Sequence, residues 1–437
     1  MRITLIVHQF PPNYFTGTEQ YALAVGGELA RRGHDVDVFA LDPAFAERDG
    51  PWRESRETVG GLPVRRLNYW MLFGPDWARL EYRHPFMAEV FEQHLRERRT
   101  EVVHSFHLRH VGADLLDKVV ASGARLCISL MDFWFLCPRV ILMRPDGTPC
   151  GGPPDGGRGC LPCHAPELAA ELTARPDAAA IALLAAAGGS QPGKSLLGRV
   201  ASHFERFSYL REHLLLADAI VAPTRYLRDV FLDNGIPPER IEHRSYGIAA
   251  TGIAPAASPP ARPLTFGFLG SYAPHKAPHL LVDALAAVRG DCRAILRGRA
   301  SDFRTYSEAL RTAAARDPRV ELLGPYERDE LPAVLAAIDV LVVPSTWHEN
   351  APFVVLEARA AGLPVLASRF GGLAEVVHDG VDGELFEAGD RDDLAHRMQR
   401  LVDEPDRLAR YRAAVQPPKT LAAAVDEFEA LYRAAPR

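Results

Sequence analysis

Short apolar runs alternate with longer amphipathic stretches along most of the chain. In the first half, runs suited to buried strands fall at 3–8, 36–41, 64–68, 102–106, 126–131 and 219–224. Amphipathic stretches lie between several of them. The clearest, 19–32, stops at Gly33, the residue type that commonly ends a helix. Buried-type strands separated by helices predict a doubly wound parallel sheet. A stretch rich in Ala, Pro, Gly and Ser at 250–262 has the composition of a linker. The alternation then restarts at 265–269, 294–297, 320–323, 340–343 and 364–368, which predicts a second sheet of the same kind. A last amphipathic helix is predicted at about 421–433, after Gln416-Pro417-Pro418. The expected organisation is a first domain at 1–249, carrying a Cys- and Ala-rich insert at about 137–215, a linker at 250–262, a second domain at 263–415, and a terminal helix within 416–437.

Bulk properties narrow the class. At 437 residues the chain is too long for one ordinary core, and two domains are expected. Hydrophobic content of 47% and charged content of 24% are those of a soluble globular enzyme. A net charge of −6 argues against nucleic acid as a partner. The opening strand pattern is too short for a signal peptide. The apolar run at 178–187 falls far short of the roughly 20 residues that span a bilayer. A cytoplasmic protein is expected. Peripheral contact at the inner face of a membrane stays open because of the basic cluster Arg96-Glu97-Arg98-Arg99, which also reads as a solvated helix face.

The densest chemistry lies at 344–358. A strand runs into a loop holding Glu349, Asn350 and Ala351, and a helix opens at about Pro352. The first N–H groups of that helix, at Phe353 and Val354, lack intrahelical partners and sit at its positive end, which suits a phosphate. Glu357, further along the helix, can accept two hydroxyl hydrogen bonds, and Glu349 can reach a second polyol. A diphosphate cradle flanked by two such carboxylates has the shape of a nucleotide-sugar site. Ligands of open parallel sheets bind beyond the carboxyl ends of the strands. Lys276, Arg297-Gly298-Arg299, Gly324-Pro325-Tyr326, Glu349 and Gly371-Gly372 each follow a predicted strand, so all belong on one rim.

Glu349 and Glu357, with seven residues between them after a strand ending Pro344-Ser345, resemble the E-x7-E motif of the retaining glycosyltransferases of family 4. The resemblance implies the GT-B fold, two Rossmann-like doubly wound parallel-sheet domains facing across a cleft. It also implies transfer of a sugar from a UDP- or GDP-sugar to an acceptor hydroxyl, the acceptor being a carbohydrate, a lipid-linked saccharide or a small molecule. By the same resemblance Glu357 holds the ribose, Glu349 contacts the donor sugar, Gly324 reads the base through main-chain groups, and no cofactor is required for catalysis. The segment from Gly270 to Lys276 resembles the family's G-R-x4-K loop, whose two cations clamp the diphosphate. Lys276 matches, but Ser271 stands at the arginine position, so one cation is lost unless Arg297 or Arg299 supplies it.

Two segments of the first domain also resemble the family. The loop 11–19 is similar to one ending G-G-x-E, with Gly17 near the donor phosphates or the acceptor and Thr18 replacing the second glycine. The same residues read equally as an ordinary turn with Thr18 capping the helix. The segment 130–138 is similar to H-D-x-W-x-x-C-P, but Met131 replaces the histidine at the reacting centre and can neither carry a proton nor make its hydrogen bond. Asp132, His107 or His104 are the candidates to substitute. A nucleotide-sugar-binding protein with little transferase activity is the alternative this departure raises.

Three further patterns each admit a second reading. Cys137, Cys150, Cys160 and Cys163 lie within a Gly- and Pro-rich stretch and read either as a structural zinc site or as reduced, partly buried thiols. The run Gly188 to Ser195 matches the phosphate-loop pattern of an NTPase, but an Ala-rich helix rather than a strand precedes it, so the match reads as chance. Asp35-Val36-Asp37 matches the D-x-D pattern of metal-dependent transferases, but its alternation with valine places it in a strand, at an edge of the sheet.

Overall fold

The computed structural model describes residues 1–42, 52–69, 77–187, 195–255, 263–300 and 303–434. The chain divides into two units, one formed by Met1–Ser245 with Leu421–Arg437 and the other by Tyr246–Thr420.

The apolar runs of the first unit become strands because helices on both faces of the sheet exclude water from them. Its strands are β1 (Arg2–Val7), β2 (Asp35–Asp42), β3 (Trp52–Val59), β4 (Leu62–Tyr69), β5 (Val102–Ser105), β6 (Arg125–Ser129), β7 (Ala219–Ala222) and β8 (Ile241–His243). They lie in the order β3-β4-β2-β1-β5-β6-β7-β8. All neighbours are parallel except β3 and β4, a hairpin turned by Gly60 and Gly61, both at positive φ. The polar edge strand β3 has no apolar run, and Arg65 pairs with Glu54 across the hairpin at 2.8 Å. β2 is flanked by β4 and β1, so the D-x-D pair does not lie at an edge. Asp37 is buried, accepts the Thr4 hydroxyl at 2.8 Å and pairs with His94 at 2.9 Å, while Asp35 pairs with Arg98 at 2.7 Å.

The second unit repeats the plan with β9 (Leu264–Leu269), β10 (Cys292–Arg297), β11 (Val320–Leu323), β12 (Val340–Val343), β13 (Val365–Ser368) and β14 (Gly383–Phe386). They are parallel throughout, in the order β11-β10-β9-β12-β13-β14. Each sheet has a point where successive connections leave in opposite directions, between β1 and β5 and between β9 and β12. Loops diverge there and open a crevice. Tyr246–Pro255, partly within the stretch predicted as linker, belongs to the second unit, where Tyr246 stacks on Phe353.

The helix Leu421–Arg433 completes the first unit. Its buried stripe, Ala424, Val425, Phe428, Leu431 and Tyr432, has helical spacing. Tyr432 Oη lies 2.6 Å from His104 Nδ1, and Ser129 Oγ lies 2.8 Å from His104 Nε2. His104, a candidate for the missing catalytic histidine, is thus a fully buried packing residue beneath this helix. In the insert, helices including Pro166–Thr173, Ala178–Ala186 and Leu196–Phe204 enclose a satellite core around Leu168, Leu172 and Val200. Gly188 to Lys194 of the phosphate-loop match lie outside the described residues, and Ser195 caps the helix Leu196–Phe204. Among the described residues no helix is long and apolar enough to cross a membrane.

Burial lowers the pKa of His104 to about 3, and it is the leading cause that lowers His84, His110 and His164 to about 4. Each is neutral when folded and charges on unfolding. Each therefore contributes stability that is full above the unfolded value of about 6.5 and is lost as pH falls toward the folded value, at up to about 1.4 kcal/mol per pH unit. Burial raises Asp114 to about 6 and also raises Glu19, with the opposite sign, but these are two carboxyls against five histidines, since burial lowers His8 as well. Urea denaturation at pH 7, 6 and 5 is expected to show a steep fall in stability of the first unit. A flat profile would contradict the neutral burial of these rings.

Candidate functional site

The crevice of the second unit brings together residues far apart in the chain. Lys276 follows β9 and Glu349 follows β12, the two strands flanking the reversal point. Lys276 Nζ donates to Glu349 Oε1 at 2.6 Å, and the buried Ser345 donates its hydroxyl to the same oxygen at 2.8 Å. The Lys276 ammonium also lies 4.9 Å from the centre of the Trp347 ring. Thr346 N–H donates to His275 C=O at 2.9 Å, which ties the two loops together. Glu349 is buried, and its C=O accepts from Gly372 N–H at 2.7 Å.

Packing accounts for two glycines here. Gly371 has φ of +58°, and a Cβ on Gly372 would sit 1.7 Å from the Asn350 carbonyl oxygen. Only glycine lets this segment support the backbone of Glu349 and Asn350. Gly298 is constrained in the same way, since its Cβ would lie 1.8 Å from Gly270 C=O. Gly324 is not, because a Cβ there would meet nothing within 4 Å. Close packing therefore does not explain that glycine.

The helix over this crevice is Phe353–Ala360. Pro352 is its N-cap, with extended φ and ψ, rather than a residue of the first turn. Phe353 and Val354 open the helix at its positive end, and Ala351 is buried beside them. Tyr246 holds this corner. Its ring stacks on Phe353 with centroids 4.8 Å apart, and its hydroxyl accepts from Asn350 Nδ2 at 3.4 Å. Glu357 is buried and its carboxylate is ion-paired with the half-exposed Arg328. Arg328 and Tyr246 carry no motif, and no spacing in the sequence points to them; Ser345 enters the sequence reading only as the end of the strand before Glu349.

Ser271 is exposed on the loop after β9, and Arg297 ends β10 beside it. Next to these a cavity of about 520 Å³ opens outside the ends of β10 and β11, lined in part by Tyr272, Gly298, Arg299, Arg304, Arg311 and Gly324.

The crevice of the first unit holds a second cluster. His8 follows β1 and His107 follows β5, with ring centroids 4.1 Å apart. Burial, followed by the nearby His107, His110 and Arg109, holds His8 well below its usual pKa. Burial raises Glu19, whose Oε1 lies 3.6 Å from His8 Nε2, against the opposing effect of the Thr16 hydroxyl, which donates to Glu19. Gly17 opens the helix Gly17–Arg31, and the N-cap is Thr16 rather than Thr18. Gly17 is not among the residues at positive φ, so the backbone does not demand glycine there.

Arg109 N–H donates to His107 Nδ1 at 3.2 Å. That nitrogen must be an acceptor, so the proton sits on Nε2, which is 2.9 Å from Asp132 Oδ2. Trp134 N–H donates to Asp132 Oδ1 at 2.8 Å. A neutral His107 and a main-chain amide thus orient the Asp132 carboxylate, and His107 is a positioning residue. Behind it, Glu81 accepts from Trp134 Nε1 at 2.6 Å and Arg206 Nε at 3.1 Å. Burial pushes the Glu81 carboxyl up, but Arg206, His110 and Arg109 outweigh it and bring the pKa to about 2.

The four cysteines of the insert are free thiols, with Cys137 buried and Cys150, Cys160 and Cys163 partly so. Burial first, and then the other three thiols, push Cys160 up to about 12. Cys150 donates to Gly152 C=O at 3.1 Å. Among the described residues no three His, Cys, Asp or Glu side chains are placed to hold a metal. The thiols lie close enough for Cys160 to feel the other three and for Cys137 to feel Cys163.

Residues 16–247 match the family model described as a glycosyl transferase 4-like domain, and residues 263–404 match that described as glycosyl transferases group 1. The D-inositol 3-phosphate glycosyltransferase of Mycobacterium sp. (strain KMS) is 35% identical over 191 residues, covering 43% of this chain and 40% of that protein. Its namesake from Salinispora tropica is 30% identical over 226 residues, covering 46% and 47%. The chain thus spans less than half the length of the curated relatives it matches. Among solved structures, Anabaena HepE in complex with UDP and glucose has a TM-score of 0.66 at 18% identity, covering 99% of this chain and 100% of that one. Sucrose-phosphate synthase from Thermosynechococcus elongatus has a TM-score of 0.68 at 18% identity, covering 99% and 98%. These likenesses show the GT-B fold. The family model at residues 16–247 takes in more than half of the chain, which therefore belongs to the glycosyl transferase 4-like family.

Proposed function

We propose that the protein is a retaining glycosyltransferase that moves a sugar from a nucleoside-diphosphate sugar to an acceptor hydroxyl. The observation that carries this reading is the meeting of Lys276 and Glu349 across the reversal point of the second sheet, beneath the helix that bears Glu357. In this reading the diphosphate lies at Lys276 and the helix start at Phe353 and Val354. Both oppose the negative charge that develops on the leaving group. Glu357 takes the ribose hydroxyls, sharing its carboxylate with Arg328 or displacing it. Glu349, held by Ser345, Lys276 and Gly372, meets the donor sugar. The nucleoside extends toward the cavity bordered by Gly324. Asp132, oriented by His107 and Trp134 N–H, receives the acceptor hydroxyl, a role Met131 cannot take. We favour UDP as the nucleotide, in line with the UDP held by HepE, and an acceptor in carbohydrate biosynthesis.

Thermal melting with UDP, GDP, ADP and TDP tests the donor site. A ligand that binds only the folded state adds about 2.7 kcal/mol at a hundred times its Kd. One nucleotide is expected to raise the melting temperature, and Glu357→Ala and Lys276→Ala are each expected to remove the rise. No rise with any nucleotide would overturn the assignment. NMR of the product formed from the matching sugar nucleotide should show the donor's anomeric configuration, and an inverted product would refute retention. Binding without transfer would favour the second reading, a nucleotide-sugar-binding protein, which the loss of histidine at Met131 supports.

A further inference from the structure

Arg297 stands apart among the charged groups of the second crevice. Lys276 is paired with Glu349, and Arg328 with Glu357. Arg297 makes no ion pair with any described residue, and its Nε is buried with no hydrogen-bond partner. Buried N–H groups are nearly always satisfied, so an unmet one on a cation calls for an explanation.

The position of Arg297 supplies one. It is in register with Leu269, the last residue of β9. Leu269 and Ile295, which share its face of the sheet, pack in the same cluster as Val355 and Ala358 of the helix that bears Glu357. Beyond the strands the two chains stay locked. Gly270 N–H donates to Arg297 C=O at 3.0 Å, and Tyr272 N–H donates to Arg299 C=O at 2.9 Å. Gly298 leaves no space between its Cα and Gly270 C=O. Arg297 is therefore tied to the loop that runs from Ser271 to Lys276. Its charge is felt by Tyr272 and by Tyr326, and Tyr326 also feels Glu357. By contrast Arg299 is exposed and lines the neighbouring cavity.

We propose that Arg297 is the second cation on the donor's diphosphate, in the role that Ser271 cannot fill. The inference rests on the donor-site reading above and names the group that completes it. A diphosphate oxygen would satisfy the buried N–H and neutralise a cation that has no carboxylate partner among the described residues. A guanidinium suits this, since its fork matches phosphate oxygens.

Calorimetric titration with UDP and GDP, and with UMP and GMP, tests it on wild type, Arg297→Met, Lys276→Ala and the Ser271→Arg/Arg297→Met double variant. Arg297→Met keeps the side-chain bulk and removes the buried, unmet Nε–H, so its melting temperature without ligand should equal or exceed that of wild type. It should bind the preferred nucleoside diphosphate about tenfold or more weakly, with a much smaller loss for the monophosphate. The double variant should regain most of the loss. Wild-type affinity in Arg297→Met, with binding lost in Lys276→Ala, would overturn the proposal and leave the donor site standing. An equal loss for mono- and diphosphate would also overturn it, since Arg297 would then act elsewhere. A loss that Ser271→Arg does not restore would refute the exchange of roles. Failure of the wild type itself to bind UDP or GDP would instead strike the donor reading.

Discussion

Gly372→Ala is expected to destabilise the second unit by more than about 3 kcal/mol, a size reserved for changes with a specific steric cause. The new Cβ would sit 1.7 Å from the Asn350 carbonyl oxygen and 3.0 Å from that of Glu349. Neither is the end of a flexible side chain that can swing aside. The neighbouring Gly371 already holds φ of +58°, so the segment cannot retreat by adopting an ordinary conformation. Relief must come from moving the Glu349 loop itself. Thermal melting should therefore show a fall of roughly 10 °C, at about 2–4 °C per kcal/mol for a unit of this size. Nucleotide response should be lost in the same variant. Gly324→Ala is the matched control, since its Cβ meets nothing and the change should stay within about 0.5 kcal/mol. Equal melting of Gly372→Ala and wild type would show that the two loops are not packed as described.

Glu81→Ala should cost about 3–5 kcal/mol, the usual range for breaking a buried ion pair by removing one partner. The carboxylate is buried and receives both Trp134 Nε1 and Arg206 Nε. Arg206 is also buried, donates to Trp134 C=O at 2.8 Å and lies 5.4 Å from the Trp134 ring. Without Glu81 its charge is stranded. With a folded pKa of about 2, the carboxyl contributes stability that is full above the unfolded value of about 4.3 and fades as pH falls toward 2. The loss in Glu81→Ala should thus be nearly constant from pH 7 to 5, where the buried histidines dominate any pH slope. Chemical denaturation of Glu81→Ala beside the Glu81→Met/Arg206→Met double variant checks the cause. The double variant should recover more than half of the loss, because both charges are then gone. Equal losses in the two would assign the effect to packing alone.

Most of the architecture could be read from the apolar runs. Strands such as β9 and β12 are buried on both faces, so their sequences carry little but apolar residues. The strands that escaped are those whose polar groups find partners elsewhere. β3 is a charged edge strand, and β14 carries Glu384, buried against Tyr411 Oη at 2.8 Å and Arg397 at 3.3 Å. Lys276 and Glu349 could be placed on one rim because each follows a predicted strand, but their meeting across the reversal point needed the strand order. The choice of Arg328 for Glu357, of Tyr246 for Asn350 and of Glu81 for Arg206 could not be read. Those partners converge only through tertiary packing and leave no local pattern.

The order of synthesis gives the terminal helix a further meaning. Residues 246–420 emerge from the ribosome as one uninterrupted block and can complete their core as they appear. The first unit cannot, because Phe428 and Tyr432, which cover His104, belong to it and are made after the whole of the second unit. Its sheet must wait, with that patch uncovered, through the translation of 175 intervening residues, Tyr246 to Thr420. Nascent chains stalled before residue 421 would therefore expose an apolar surface around His104 and Phe106, a natural holding site for chaperones.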